Sequence, residues 1–201
     1  MRPRLVLASA SPRRLAILRQ LGLNAEVCPA DVDERMLPGE DPARHVSRLA
    51  RKKAGRVLAL DRDALVLGGD TVVVRDRHVL GKPKSPEEAV AMLESLSGRT
   101  HEVLSGIALA DRHGVLDSCT RTRVRFRAFD HETARRYVAT GEPMDKAGAY
   151  GIQGLGAALV EEVDGDYYSI VGLPVAALLR LLRQAGWRYD FGALHPIDVQ
   201  R

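Results

Sequence analysis

The run Ala64-Leu65-Val66-Leu67-Gly68-Gly69-Asp70-Thr71-Val72-Val73-Val74 constrains the fold more than any other stretch of the chain. Its branched apolar residues predict a buried strand, yet two glycines and a carboxylate stand in its middle. A carboxylate inside such a strand needs either an exit from the core or a cation beside it. Gly68 and Gly69, having no side chains, give a ligand room to approach the backbone next to that carboxylate. Val79-Leu80-Gly81-Lys82-Pro83 follows as a second short apolar strand ending in Gly-Lys. Asp70 and Lys82 are then expected at the ends of neighbouring strands. Two readings stand: a paired, partly buried ionic site, or the ordinary surface pair of a hairpin.

A chain of 201 residues, 45% hydrophobic and 28% charged, has room for one sizeable core or two small lobes around a cleft. Net charge of +4 and a pI near 9.3 permit anionic partners without requiring nucleic acid. The basic residues are nearly all arginine, so the few lysines (Lys52, Lys53, Lys82, Lys84 and Lys146) carry more information than the arginines do. Cys28 and Cys119 lie far apart with no CxxC, which predicts a reducing compartment and two small core residues. The start, from Met1 to Ala10, mimics a signal peptide, but its apolar run is too short and Ser11-Pro12-Arg13-Arg14 follows at once. No window approaches the length of a membrane span, and the expected compartment is the cytoplasm.

Arg4 to Ser9 reads as a short strand, after which Ser11 caps a helix with Pro12 at its first position and Gly22 as its stop. Ser9, Ser11, Arg13 and Arg14 therefore gather at a strand-to-helix junction, where free backbone amides favour an anion. Asn24 to Ala30 reads as a second strand and Asp31-Val32-Asp33-Glu34 as an acidic loop, either a metal shell or a solvated turn. Asp41-Pro42 opens a helix through about Leu60 with Val46, Leu49, Ala50, Val57 and Leu58 on one face, so only one of Lys52 and Lys53 points towards the strands. Ser85-Pro86-Glu87-Glu88 is a capping box.

His101 to Ala110 and Val115 to Ala128 read as two antiparallel strands. In the second, Arg121, Arg123, Arg125 and Arg127 alternate with Thr122, Val124, Phe126 and Ala128, as on a half-buried strand with one wet face. Aromatic residues make up only 4% of the chain, too few for a base-stacking platform. Asp130 caps a helix to about Thr140. The glycine-rich stretch Glu142 to Gly156 then predicts a loop pressed against a ligand, Ala157 to Val163 a strand, and Pro174 the start of a final helix. The alternation argues for a single mixed α/β unit.

No HExxH pair, nucleophile elbow, Walker loop or dinucleotide fingerprint is present. What remains is a set of cations (Arg13, Arg14, Lys53, Lys82) and acids (Glu34, Asp70) on motif-like stretches beside glycines. That set suits a polyphosphate with a divalent cation, because arginine forks and lysine charges hold phosphate oxygens while carboxylates hold a hard metal. A carboxylate is a feeble base towards bulk water, and a metal-bound water is far more acidic. The chemistry expected of Asp70 is metal-assisted attack of water on a phosphoanhydride.

The motifs resemble one family, the Maf-type nucleoside triphosphate pyrophosphatases or septum formation proteins. Leu7 to Arg14 resembles their N-terminal signature, and Leu49-Ala50-Arg51-Lys52-Lys53-Ala54 is similar to their helical motif. Gly69-Asp70-Thr71-Val72, Gly81-Lys82-Pro83, Leu96 to His101 and Asp145 to Gly154 resemble the rest, in order along the chain. The resemblance implies an elongated, mixed-sheet α/β fold of the Maf/ITPase-like kind, with a cleft between two lobes and residues 1–201 as one domain. It also implies hydrolysis of a nucleoside triphosphate to monophosphate and diphosphate, with Mg²⁺ or Mn²⁺ as cofactor and a homodimer as assembly.

By motif position Asp70 is the proton acceptor and shares the metal with Glu34. Ser9, Arg13, Arg14, Lys53 and Lys82 bind the phosphates, and Arg13, Thr71 and Gln153 bear on base choice. Asp70-Thr71 and the late loop with Gln153 are similar to the branch acting on dTTP and UTP. The sister branch acting on 7-methyl-GTP, a nucleotide-sensing regulator of cell division without turnover, and a nucleic-acid binder using the arginine strand are the competing readings.

Overall fold

The computed structural model describes residues 3–197; Met1 and Arg2 of the signal-like start lie outside the described residues. The elements run β1 (Leu5–Leu7), α1 (Pro12–Gln20), β2 (Ala25–Val27), α2 (Pro42–Leu58), β3 (Leu65–Arg75), β4 (His78–Leu80), α3 (Pro86–Leu96), β5 (Thr100–Asp111), β6 (Gly114–Phe126) and α4 (His131–Ala139). Three short 3-10 turns follow, Glu142–Asp145, Ala147–Ala149 and Leu155–Leu159. Then come β7 (Val160–Asp164), α5 (Tyr167–Val171), α6 (Val175–Gln184), β8 (Trp187–Asp190) and β9 (Ala193–Pro196). Seven strands form one mixed sheet in the order β2-β1-β3-β5-β6-β7, with β4 paired to β3, while β8 and β9 pair by themselves. This is the mixed α/β class expected. The apolar run around Asp70 forms one continuous strand of 11 residues, as expected, with its two glycines and Asp70 inside it.

The chain clusters into two compact units, and β3, β5 and β6 each pass from one to the other along their length. The first unit holds the residues up to Asp70, Ser105–Thr120 and those from Gly172 on. Here β1 lies parallel to both β2 and β3, with Leu7 opposite Leu67. Helix α2 packs on this sheet through small residues: Ala50, Ala54 and Val57 meet Val6, Ala8, Val66, Ala108 and Ala110. Two glycines set how close it comes. A Cβ at Gly68 would lie 2.2 Å from the Ala50 carbonyl oxygen, and one at Gly106 would lie 2.6 Å from that of Val46. The helix backbone rests directly on the strands, which is why those positions carry no side chain.

The second unit holds Thr71–Leu104 and Arg121–Val171. Its core gathers Val73, Leu93, Leu96, Val103, Phe126, Tyr137 and Tyr150. His101 is buried there, edge-on to Phe126 and Tyr150 at centroid distances of 4.9 and 5.3 Å. The caps sit as the sequence indicates: Ser11 accepts from Arg14 N, Ser85 from Glu88 N and Asp130 from Thr133 N.

Several expectations are corrected. The second strand is only Ala25–Val27, and the strand expected from Ala157 begins at Val160 because Leu155–Leu159 winds into a 3-10 turn. The helix after Pro174 is not the final element, since the β8–β9 hairpin follows it. Cys119 is exposed and Cys28 half-buried, so neither is a core residue. The arginines of β6 lie on its wet face, as expected, while Thr122, Val124 and Phe126 are buried. That face is already neutralised: Arg121 pairs with Glu102, Arg123 with Asp164, and Arg125 with Glu161 and Glu162.

Candidate active site

In the first unit Asp70 is buried within β3, and α2 supplies its cation. Lys53 Nζ donates to Asp70 Oδ1 at 2.8 Å and lies 2.8 Å from Glu34 Oε1. Of the two adjacent lysines, Lys53 faces the strands and Lys52 is exposed, its ammonium 3.5 Å from the Asp33 carbonyl oxygen. The Lys53 side chain is 8% exposed and that of Asp70 12%, whereas Glu34 is 59% exposed. A buried ammonium is thus shared by one buried and one solvent-facing carboxylate. Burying either charge alone would be strongly unfavourable; the close approach at Gly68 lets α2 bury the pair together.

The expected partner of Asp70 was Lys82, and the structure assigns that role to Lys53. Lys82 belongs to the second unit, follows β4 and is exposed, with no ion pair among the described residues. The hairpin itself is real, Val73 lying opposite Leu80 and Val74 opposite Val79. The expectation that Gly68 and Gly69 leave space for a ligand is also corrected. Gly68 admits the backbone of α2, and a side chain at Gly69 would lie 3.1 Å from Arg14 Nε. Glycine reports close approach by something, and here the protein itself approaches.

Arg14 completes the cluster from the start of α1. It is buried, and it donates from Nη1 to Ser9 Oγ and from Nε to the Gly172 carbonyl oxygen, each at 2.8 Å. Ser9 Oγ also accepts from Ser11 N at 3.2 Å. Burial pulls the Arg14 guanidinium below its ordinary value and Arg13 acts in the same direction, while the Asp70 and Glu34 carboxylates oppose both. Arg13 is only half-buried at the same junction. Thr71, directly after Asp70, and Gln153, exposed in the late turns, belong to the second unit.

The loop bearing Glu34 is tied down at its far end. Glu40 accepts from Arg48 Nε at 2.6 Å, Arg48 Nη2 at 2.8 Å and Leu37 N at 3.1 Å, and faces His45 Nδ1 at 3.0 Å. These donors outweigh its burial and push the Glu40 carboxyl down to about 2. Asp33 is engaged too: the Arg35 fork at 2.8–3.1 Å holds its carboxyl far below the usual range. Of the acidic loop, Glu34 is the carboxylate directed to Lys53. The sequence reading passed over Glu40, whose only local signal is its place just before the Asp41 cap.

As a metal site, the carboxylates of Asp70 and Glu34 are the donors at hand. Among the described residues no group of three or more His, Cys, Asp or Glu is placed to hold an ion. Two carboxylates supplemented by phosphate oxygens is how a hard cation such as Mg²⁺ is commonly held. The residues therefore fit a cation that arrives with a phosphorylated ligand, and do not form a protein cage for one.

A family model described as Maf-like protein matches residues 4–185. A dTTP/UTP pyrophosphatase from Anaeromyxobacter dehalogenans is 51% identical over 191 residues, covering 93% of this chain and 96% of that protein. Proteins of the same name from Symbiobacterium thermophilum and Bacillus cytotoxicus are 49% identical over 183 residues and 45% over 190, each covering at least 91% of both chains. A solved nucleoside-triphosphatase / dITP/XTP pyrophosphatase from Mycobacterium abscessus covers 61% of this chain and 74% of its own at 17% identity. Its TM-score of 0.40 is too low to bear on fold or chemistry.

Proposed function

The chain belongs to the Maf family, and from that premise we propose that it hydrolyses dTTP and UTP, modified pyrimidine nucleotides included, to the nucleoside monophosphate and diphosphate. The observation that carries the chemistry is the Lys53 ammonium shared by Asp70 and Glu34 at 2.8 Å each. Lys53 engages Asp70 through Oδ1, and Oδ2 has no hydrogen bond to any described residue. That oxygen is the one available to orient a water and accept its proton as the water attacks the α-phosphorus. The α–β bridging bond breaks and diphosphate leaves. Lys53 fixes the carboxylate's rotamer through a charge-assisted hydrogen bond.

In this reading Ser9, Arg13, Arg14, Lys53 and Lys82 bind and orient the triphosphate. Arg14 is held in place in advance by Ser9 and Gly172, so little ordering is left for the moment of binding. Asp70 and Glu34 would hold the divalent cation, Mg²⁺ or Mn²⁺, which when bound neutralises phosphate charge and acidifies water. Arg13, Thr71 and Gln153 bear on base choice. The chain acts as one domain over residues 1–201, in the cytoplasm and as a homodimer. Among the described residues no helix is long and apolar enough to cross a membrane.

Incubation of the purified protein with a panel of triphosphates and Mg²⁺ or Mn²⁺ tests the reaction. Diphosphate release, fastest from dTTP and UTP, is the expected result. Orthophosphate would place cleavage at another bond, and preference for 7-methyl-GTP would move the chain to the sister branch.

A further inference from the structure

In the second unit one carboxylate organises the late glycine segment. Glu142 Oε1 accepts from Tyr137 Oη at 2.8 Å and Gly156 N at 3.1 Å, and its Oε2 accepts from Leu155 N at 2.8 Å. Tyr137 Oη in turn accepts from Gly151 N at 3.0 Å. Lys146 Nζ adds a bond to the Glu142 carbonyl oxygen at 2.5 Å. Both ends of the segment 151–156 are therefore pinned to the same Tyr–Glu pair, with Gln153 in the span between them.

The packing leaves no slack. A Cβ at Gly154 would lie 2.3 Å from Glu142 Oε2, and one at Gly156 would lie 2.5 Å from Tyr137 Oη. Burial raises the Glu142 carboxyl, but the donors from Gly156, Tyr137 and Leu155 more than offset it and leave the group below its ordinary range. Gln153 itself is exposed, and its amide has no hydrogen-bond partner among the described residues. Its own contacts do not hold it; the pinned backbone fixes where its side chain starts.

That matters because an amide is two-sided. Rotated by half a turn, a Gln side chain exchanges its acceptor for its donors. One orientation complements the carbonyl and N–H edge of uracil or thymine, and the other complements the amino group and bare nitrogen of cytosine. A Gln on a loose turn reads both. We propose that Tyr137 and Glu142 are positioning residues that discriminate uracil and thymine from cytosine by fixing the turn that carries Gln153. The proposal rests on Gln153 being a base-reading residue.

Steady-state kcat and KM for UTP and CTP would be measured for wild type, Tyr137→Phe, Glu142→Gln, Gln153→Ala and the Gln153→Ala/Tyr137→Phe double variant. Amide hydrogen exchange at Gly151, Leu155 and Gly156 would be followed alongside. Tyr137→Phe keeps the ring and removes both bonds. It should lower the UTP-to-CTP ratio of kcat/KM by about tenfold, the scale of one well-made hydrogen bond, chiefly through KM, and speed exchange at the three amides. Glu142→Gln should shift the ratio the same way, and the double variant should lose no more than Gln153→Ala alone. A collapsed ratio in Gln153→Ala with an unchanged one in Tyr137→Phe and Glu142→Gln would overturn the positioning role while sparing Gln153. Independent, additive losses would overturn it as well. An unchanged ratio in Gln153→Ala would remove the base-reading assignment and this proposal with it.

Discussion

Asp70 in β3 and Glu142 ahead of the late turns are both carboxylates set among glycines, and their surroundings put them to different uses. Around Asp70 the glycines admit a helix backbone and an arginine, so the acid is buried beside Arg14 and hydrogen-bonded by the Lys53 ammonium, with one oxygen left over. Around Glu142 the glycines admit the carboxylate itself, and both its oxygens are consumed by Tyr137, Leu155 and Gly156. A carboxylate saturated by donors is fixed scaffold. One hydrogen-bonded at a single oxygen has a lone pair to offer a water. Burial alone does not separate the two; the census of donors does.

The largest test of that contrast removes the spare charge. Asp70→Asn keeps the size of the side chain and should lower kcat for dTTP on the order of 10³-fold, within the range of lost general-base catalysis, while equilibrium nucleotide binding is largely kept. Turnover like wild type would remove Asp70 from the chemistry. The next effect is on stability. Lys53→Met leaves Asp70 buried without its cation and should cost about 3–5 kcal/mol, the usual consequence of breaking one side of a buried pair, read from urea unfolding midpoints. A loss under 1 kcal/mol, the scale of an exposed pair, would mean the ammonium is solvated and the contrast with Glu142 false.

Much of this was legible in the sequence because local chemistry carries it. Ser11, Ser85 and Asp130 announce their caps, the carboxylate in an apolar strand announces the need for a cation, and the helical period allows only one of Lys52 and Lys53 to meet it. What stayed hidden is non-local. Lys53 lies 17 residues from Asp70 on a helix and not on the adjoining hairpin, yet α2 reaches β3 because Gly68 and Gly106 let its backbone touch the sheet. A glycine advertises room but not the occupant, which is why Gly68 and Gly69 read as space for a ligand. Glu142 carries no local signal of its role, since its partner Tyr137 is set by α4, on the same buried face as Ala134 and Val138.

The smallest effect separates the two units by acid. His45 in the first is buried with its Nδ1 3.0 Å from the Glu40 carboxylate and 3.2 Å from Arg48 Nη2, so charged groups face it. His101 in the second meets none: its Nε2 bonds Tyr150 Oη at 2.8 Å, Nδ1 has no partner among the described residues, and Phe126 and Tyr150 close the pocket. Burial pushes His101 down to about 4 from an ordinary 6.5. The folded state then binds fewer protons than the unfolded chain, so this group's contribution is full above pH 6.5 and is lost as pH falls towards 4. Over that window the loss reaches up to about 3 kcal/mol. The stability difference between wild type and His101→Phe, measured by denaturant unfolding at several pH values, should shrink by that amount on going from neutral pH to 4. Carboxylates common to both proteins cancel in the difference, and the Tyr150 hydroxyl left unpaired in the variant adds only an offset independent of pH. A difference that stays constant across the window would mean that water or a carboxylate reaches His101, and that the second unit buries its charges no differently from the first.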